Sequence, residues 1–250
     1  MNDYNPFSLS GKTIFVTGAS SGIGKSIAIE CSKMGARLII TGRNAERLQQ
    51  TSELLFGEGH SSFQADLSNE EIFEKVVERL PILDGVVHCA GIAEYVPVQF
   101  IKSSFIQKIM TTNFIAPTAI SAQLVKAKKL KRGSSVVFIS SISGVNICPP
   151  GGSVYAASKG AINGFIKGMA LELASKGIRV NSVNPGMVET PLIESGEVSA
   201  EQLDEDRKRY PLKRYGKPEE VAYSVIYLLS DAASWVTGSA LLIDGGYTLL

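Results

Sequence analysis

The chain has 250 residues, 44% hydrophobic and 20% charged, and a formal net charge of +1. That balance describes a globular chain with a sizeable core, and it excludes a global field drawing the protein to nucleic acid or a membrane surface. Cys31, Cys89 and Cys148 form neither a disulfide framework nor a zinc spacing, Met1-Asn-Asp-Tyr-Asn-Pro-Phe-Ser does not read as a signal peptide, and no apolar run approaches a membrane span, so the expected location is the cytoplasm.

The first predicted strand, 12–17, runs directly into Thr17-Gly18-Ala-Ser-Ser-Gly22-Ile23-Gly24 and a helix over 22–34. Glycines here let the backbone turn tightly and approach a pyrophosphate. The helix N-terminus then supplies free amides and partial positive charge. The GxxxGxG spacing differs from the common GxGxxG, but its strand–turn–helix context is what a dinucleotide site requires. A second strand, 37–41, ends on Thr41-Gly42-Arg43. An NAD site places an acid there for the ribose 2′-hydroxyl, yet the nearest carboxylate, Glu46, falls a turn into the next helix, 44–56. Arg43 offers a bidentate grip on a 2′-phosphate instead. NADP(H) is therefore expected over NAD(H); the plain alternative is an exposed arginine starting a helix.

Strands at 62–65 and 85–88 flank a helix near 69–80, and a long helix at 102–130 precedes a strand at 135–140. The next helix, 155–175, opens with Tyr155-Ala-Ala-Ser-Lys159. Residues four apart share a helix face. A phenol titrates near ~10 and is a poor acid or base at neutrality; a nearby ammonium favours the phenolate and draws that value down. The pair is a candidate proton donor with its tuner, against a bland reading as two solvated side chains. After a strand at 179–184, residues 187–216 break the rhythm with a long polar stretch containing Pro191, Gly196, Pro211 and Gly216. Connections of this length predict a lid over a site, the alternative being a permanently packed helical hairpin. A helix at 218–230 and a strand at 241–243 complete the pattern. Strands rich in Val, Ile and Leu, alternating with helices, predict an α/β fold: a single-domain Rossmann fold over 1–250, a doubly wound parallel sheet of about seven strands with helices on both faces.

Thr17–Gly24, Asp66-Leu67, Ala90-Gly91, Asn113, Ser140-Ser141, Tyr155–Lys159, Asn184-Pro185-Gly186 and Asp244-Gly245-Gly246 occur in the order and at the intervals of the short-chain dehydrogenase/reductase family. The chain closely resembles that family over nearly its whole length, and within it looks most like the 3-oxoacyl-[acyl-carrier-protein] reductases. The resemblance implies a tetrad of Asn113, Ser141, Tyr155 and Lys159. Tyr155 would hand a proton to a carbonyl oxygen that Ser141 orients; Lys159 would lower the Tyr155 pKa and bind the nicotinamide ribose; Asn113 would hold a water refilling the proton chain. It also implies cofactor contacts from Gly18, Ser20, Ser21, Gly22, Ile23 and Gly24 to the phosphates. Arg43, Asp66 and Leu67 would lie at the adenosine end, Cys89, Ala90 and Gly91 along the middle, and Pro185, Gly186, Val188 and Thr190 beside the nicotinamide. The implied reaction is NADPH-dependent reduction of a ketone or 3-oxoacyl group to a secondary alcohol. An NAD(P)-dependent alcohol, sugar or hydroxysteroid dehydrogenase is the first alternative, and a non-catalytic dinucleotide-binding regulator the second. A small carbonyl or alcohol substrate, free or carried on an acyl carrier protein, and a homotetramer are the expected partners. Two departures stand out: His88-Cys89 replaces the family's frequent Asn-Asn, and Cys148-Pro149-Pro150-Gly151-Gly152 interrupts the Ser141–Tyr155 segment.

His88 reads as a hydrogen-bonded core residue and His60 as a loop residue without metal partners. No G-x-S-x-G elbow surrounds Ser141. The basic run Lys126-Ala-Lys128-Lys129-Leu-Lys131-Arg132 reads first as cations at a helix C-terminus; its sharper reading, with Lys176, is a dock for an acidic carrier.

Overall fold

A computed structural model describes residues 4–190 and 200–249. Seven parallel strands form one sheet: β1 (Thr13–Thr17), β2 (Arg37–Gly42), β3 (Ser61–Gln64), β4 (Leu83–His88), β5 (Leu130–Ile139), β6 (Arg179–Pro185) and β7 (Ala240–Ile243). Their order is β3-β2-β1-β4-β5-β6-β7, so the winding reverses between β1 and β4. That crevice, at the carboxyl ends of the strands, is where open α/β sheets bind ligands.

The strands are apolar on both sides, and the period of two sorts their residues. Ile14, Val16, Val87 and Val137 enter one core cluster; Phe15, Val86, Val136 and Phe138 enter the other. The first is closed by α1 (Gly22–Lys33), α2 (Ala45–Ser52) and a late helix over Pro218–Leu229. The second is closed by α3 (Phe73–Glu78), α5 (Ala116–Lys126) and α6 (Ser153–Leu173). The edge strands depart from the expected double burial: Ser61, Ser62 and Gln64 of β3 are exposed, and β7 alternates exposed and half-buried residues. Among the described residues no helix is long and apolar enough to cross a membrane, and none of their acidic, histidine or cysteine side chains gather into a metal-binding group.

The long helix expected at 102–130 is three pieces: α4 (Ser103–Met110), a π-helical turn (Thr111–Ile115) and α5. Pro117 explains the break. It has no N–H for the carbonyl four residues back, that of Asn113, and its ring crowds that carbonyl. Lys128, in a left-handed conformation with φ 54°, then turns the chain, so β5 begins at Leu130 rather than near 135. Elsewhere, residues 69–80 divide into a short 3-10 turn and α3, and α2 stops at Ser52.

In the 187–216 connection, Pro191, Leu192, Ile193, Glu194, Gly196 and Glu197 lie outside the described residues. The remainder is more firmly rooted than its polar composition predicts. A helix over Ala200–Arg209, α7, is followed by Tyr210 and Tyr215, both buried. Tyr215 donates to the Leu203 carbonyl at 3.2 Å and to Asp206 at 3.0 Å, and Tyr210 accepts from the Met187 N–H at 3.1 Å. Gly216 N–H to Met187 O at 3.0 Å and Glu189 N–H to Gly216 O at 2.9 Å staple the two ends together. The next helix is α8 (Pro218–Leu229).

Candidate active site

At the exit of β1, Gly18 takes a left-handed turn, φ 71°. A Cβ there would stand 2.7 Å from the Ala90 nitrogen, and one on Gly24 would stand 2.3 Å from the Gly18 carbonyl oxygen. Only hydrogen fits at either position. Ser21 enters α1 in an extended conformation without a side-chain cap, and no acid occupies the first turn. The helix therefore offers its first amides and dipole to an anion. Thr17 Oγ1 accepts from the Cys89 and Ala90 N–H groups, each at 3.1 Å, tying the β4 exit to the glycine turn. Thr190 closes the far side: its Cγ2 lies 3.3 Å from the position of a Gly22 Cβ. Ser20 borders Gly42, whose Cβ would meet Ser20 Oγ at 2.9 Å. Arg43 is exposed beside them, and Gln64 Nε2 donates to its carbonyl at 2.7 Å. Asp66 accepts from Ser68 N–H and Oγ at 3.0 and 2.8 Å. Burial pushes its carboxyl up, but those bonds and the Arg43 charge leave it below the usual range. The cradle fits a dinucleotide: backbone without Cβ atoms, free helix amides, and a cation at the ribose end.

Three of the expected cofactor contacts also pack in the core: Leu67 belongs to one cluster, Val188 to the other, and the half-buried Cys89 lies against the latter. Burial raises the Cys89 thiol to about 12, with the Lys159 charge opposing, so the thiol stays protonated. Gly186 lies against Asp244, 3.1 Å from a would-be Cβ, and its N–H donates to Ile243 O at 3.0 Å. Pro185 O accepts from Ile142 N–H at 3.1 Å, which ties the β6 exit to the Ser141 loop.

Across the crevice, α6 brings Tyr155 and Lys159 to the end of β5, where Ser141 follows. A Cβ on Gly91 would lie 3.3 Å from Asn113 Oδ1 and 3.5 Å from Lys159 Nζ, so all four tetrad positions converge here. Lys159 Nζ donates to Ile139 O at 2.9 Å and stands 5.8 Å from the centroid of the Tyr155 ring. The downward pull expected from Lys159 does not act on Tyr155 here. Burial pushes its phenol up to about 12, against a hydrogen bond with Ser141 and assisted by Tyr95. Burial also draws the Lys159 ammonium down to about 8, with Cys89 opposing. Tyr155 thus holds its proton at neutral pH, as an acid must.

Asn113 sits in the π-helical turn and its side chain makes three hydrogen bonds. Its Oδ1 accepts from Ile92 N–H at 2.8 Å, and its Nδ2 donates to Ile92 O at 2.9 Å and Ser158 Oγ at 3.1 Å. Ser158 Oγ in turn donates to the Tyr155 carbonyl at 2.7 Å. Below these lies a buried polar junction that sequence reasoning missed. Asn163 Nδ2 donates to Ser140 Oγ at 2.7 Å and Lys159 O at 2.8 Å. Its Oδ1 accepts from Ser182 Oγ at 3.0 Å and Asn184 Nδ2 at 3.1 Å. The amide thereby uses its full hydrogen-bonding capacity and pins α6 to β5 and β6. The available signal was one helical turn, since Asn163 follows Lys159 by four residues.

The discounted histidines behave as expected. His88 Nε2 pairs with Ser121 Oγ at 2.8 Å, its ring stacks on Phe138, and burial holds its pKa near about 3. His60 Nδ1 accepts from Leu38 N–H at 3.0 Å. In the basic run, Lys131 pairs with Asp84 at 3.0 Å and Lys129 bonds the Leu80 carbonyl. Arg132 lies against Gly177, next to Lys176. This run overlaps the start of β5; Lys131 precedes Ser141 by ten residues, which at about 3.3 Å each is roughly 30 Å. A carrier docked there would face the wrong end of its own subunit's sheet.

A family model described as Enoyl-(Acyl carrier protein) reductase matches residues 18–248. The 3-oxoacyl-[acyl-carrier-protein] reductase FabG of Rickettsia prowazekii (strain Madrid E) is 34% identical over 242 residues, covering 97% of this chain and 99% of that protein. The NADP-dependent (R)-specific alcohol dehydrogenase of Lentilactobacillus kefiri is also 34% identical, over 250 residues, covering 96% and 98%. Among solved structures, one from Beutenbergia cavernae, provisionally assigned as an NAD(P) dependent gluconate 5-dehydrogenase and carrying NADP at low occupancy, superposes with a TM-score of 0.89. It is 31% identical, and the match covers 98% of this chain and all of that one.

Proposed function

Because the chain belongs to the short-chain dehydrogenase/reductase family, and so is an oxidoreductase of CH–OH and C=O groups, we propose that it reduces a ketone or 3-oxoacyl group to a secondary alcohol with NADPH. The observation that carries this reading is the convergence of Ser141, Tyr155 and Lys159 beside a glycine cradle shaped for a dinucleotide. When bound, the dinucleotide supplies the hydride; the chain's own residues supply the rest. Ser141 orients the carbonyl oxygen, and Tyr155 donates a proton to it from a phenol that burial keeps protonated. Lys159, held by Ile139 O, places positive charge beside the phenolate that remains. Asn113, locked by Ile92 and Ser158, contributes its main-chain carbonyl, which gets no N–H from Pro117, as the anchor for a proton-relay water. Arg43 and Ser20 give the cofactor preference.

The roughly 30 Å between the basic run and Ser141, and the equal identity to an alcohol dehydrogenase, favour a second reading: an NAD(P)-dependent alcohol, sugar or hydroxysteroid dehydrogenase. We also propose that the 187–216 connection, rooted at Tyr210 and Tyr215, acts as a substrate lid. A homotetramer is supported by exposed apolar side chains on α6 (Leu171) and near the C-terminal strand (Trp235, Leu249); a monomeric mass in light scattering would refute it. The function is tested by NADPH oxidation with a panel of ketones, 3-oxoacyl thioesters and diketones. Turnover is expected in the unmutated protein and a loss of at least ~10²-fold in Tyr155→Phe, with NADPH affinity retained. Equal turnover in the two proteins would remove Tyr155 as the donor.

A further inference from the structure

Two loops rise beside Tyr155, one leaving β4 and one joining β5 to α6, and they are stitched together. Val96 N–H donates to Gly151 O at 2.9 Å. Gly151 is left-handed, φ 73°, and a Cβ on it would lie 3.5 Å from Tyr95 Cβ. The second loop is stiffened by Pro149 and Pro150 and closed by Gly152 N–H to Pro149 O at 2.9 Å. This stitching fixes Tyr95 above the proton donor: the two rings have centroids 6.0 Å apart and planes tilted by 51°. The spacing leaves no slot between them, since ring centroids already in contact lie about 4.5–7 Å apart. A substrate whose oxygen reaches Tyr155 and Ser141 therefore passes beside Tyr95, over the ring face left open by a residue that is 53% exposed.

That face is flat and uncharged. The neighbouring carboxylate, Glu94, is taken by Lys108 at 2.6 Å on α4. Burial raises the Tyr95 phenol, with Cys148, an exposed thiol of the second loop, adding to it. The catalytic steps above use Tyr95 only as a minor aid to burial in keeping the Tyr155 phenol protonated. A large aromatic held half-open at a reacting centre, on a rigid two-loop support, is built to contact substrate.

We infer that Tyr95 is the specificity-determining residue of this site, and that it selects a compact carbonyl substrate carrying a flat, uncharged substituent next to the C=O over one carrying a flexible straight chain. The inference rests on the reductase reading and adds the substrate class to it. The discriminating contact is ring against substituent, so the hydroxyl of Tyr95 is dispensable and its ring is not.

The test compares acetophenone with a straight-chain methyl ketone of equal carbon number in the unmutated protein, Tyr95→Phe and Tyr95→Ala. The unmutated protein should favour the aryl ketone in kcat/KM. Tyr95→Ala should lose about tenfold on the aryl ketone, chiefly in KM, the size an aromatic contact supplies, with the straight-chain ketone changed by less than roughly threefold. Tyr95→Phe should keep the preference. A parallel loss on both ketones in Tyr95→Ala, or an unmutated preference for the straight chain, would overturn the inference. Calorimetric binding of the two ketones to the NADP-loaded protein gives the same ranking without turnover. Aryl-selective binding that depends on the Tyr95 ring, in a protein that turns nothing over, would refute the reductase reading and uphold the inference; binding indifferent to Tyr95 refutes the inference alone.

Discussion

At the exit of β1 the chain is shaped by atoms it lacks: added Cβ atoms on Gly18 and Gly24 would stand 2.7 and 2.3 Å from backbone. At the exits of β5 and β6 it is shaped by atoms it has, with Asn163 making four hydrogen bonds among Ser140, Lys159, Ser182 and Asn184. The cofactor half must let a large polyanion approach main-chain amides, so side chains are excluded. The catalytic half must hold two side chains of one helix in fixed register with a serine on a strand, so buried polar groups lock the elements together. The first half should therefore fail when atoms are added, and the second when they are removed.

The sharpest break is Gly24→Ala. The new methyl meets the Gly18 carbonyl, which cannot rotate away as a flexible side chain would, so the turn must open. NADPH affinity should fall by more than about 10²-fold, since phosphate contacts through oriented amides depend on close approach. Fluorescence titration of bound NADPH measures it; affinity within a few-fold of the unmutated protein would show that the turn tolerates a Cβ.

Arg43→Ala takes atoms from the same half, but from its rim. The loss is one charge-assisted phosphate contact, so NADPH should weaken by about tenfold to a hundredfold and NADH hardly at all. Unmutated protein binding NADH as tightly as NADPH would remove the preference assigned to Arg43.

On the catalytic side, Asn163→Leu keeps the branched side-chain shape while orphaning Asn184 Nδ2 in the core. Stability should fall by about 2 kcal/mol, and kcat by about tenfold as Lys159 loses its register, with NADPH affinity unchanged. Denaturant unfolding, kcat and NADPH titration together decide it: a stability loss without a change in kcat would make the junction purely structural.

The two halves were unequally legible in the sequence. The glycine turn is local, so its order on the chain is its order in space, and Gly18 to Gly24 were found with their strand and helix. Tyr155 and Lys159 were equally visible, because a four-residue spacing is a helix face. The Asn163 junction joins residues from 140 to 184, and no local pattern marks it. The π-helical turn was missed although Pro117 announced it, because the helical patterns of 103–110 and 116–126 on its two sides masked a single breaker. The helix expected at 102–130 ran through to Leu130 and 131–134 stayed unassigned, since Lys and Leu favour helices until pairing with β4 overrides them. The polar composition of 200–216 suggested weak anchoring because two tyrosines count little in an average, yet Tyr210 and Tyr215 are buried.

A third kind of support, exposed charge, roots the 187–216 connection, and it should matter least. Arg214 donates to both oxygens of Glu220, at 2.6 and 2.7 Å, and the Lys217 N–H adds a third bond at 2.7 Å. The Arg214 hydrogen bonds, then the Lys217 N–H, hold the Glu220 carboxyl down to about 2, with a smaller opposing push from burial. A depressed folded-state value means stability that is present above the unfolded value of 4.5 and is lost as pH falls towards 2. Both side chains are nearly half exposed, so solvent screens the pair and the contribution is small. Glu220→Gln should therefore lower Tm slightly at neutral pH, and the gap to the unmutated protein should close as both are acidified through that window. Thermal melts across the acid range, paired with hydrogen exchange over 200–216, read the effect. A deficit that stays constant down to pH 2 would mean that the side chain acts through packing, and that the lid root does not depend on its charge.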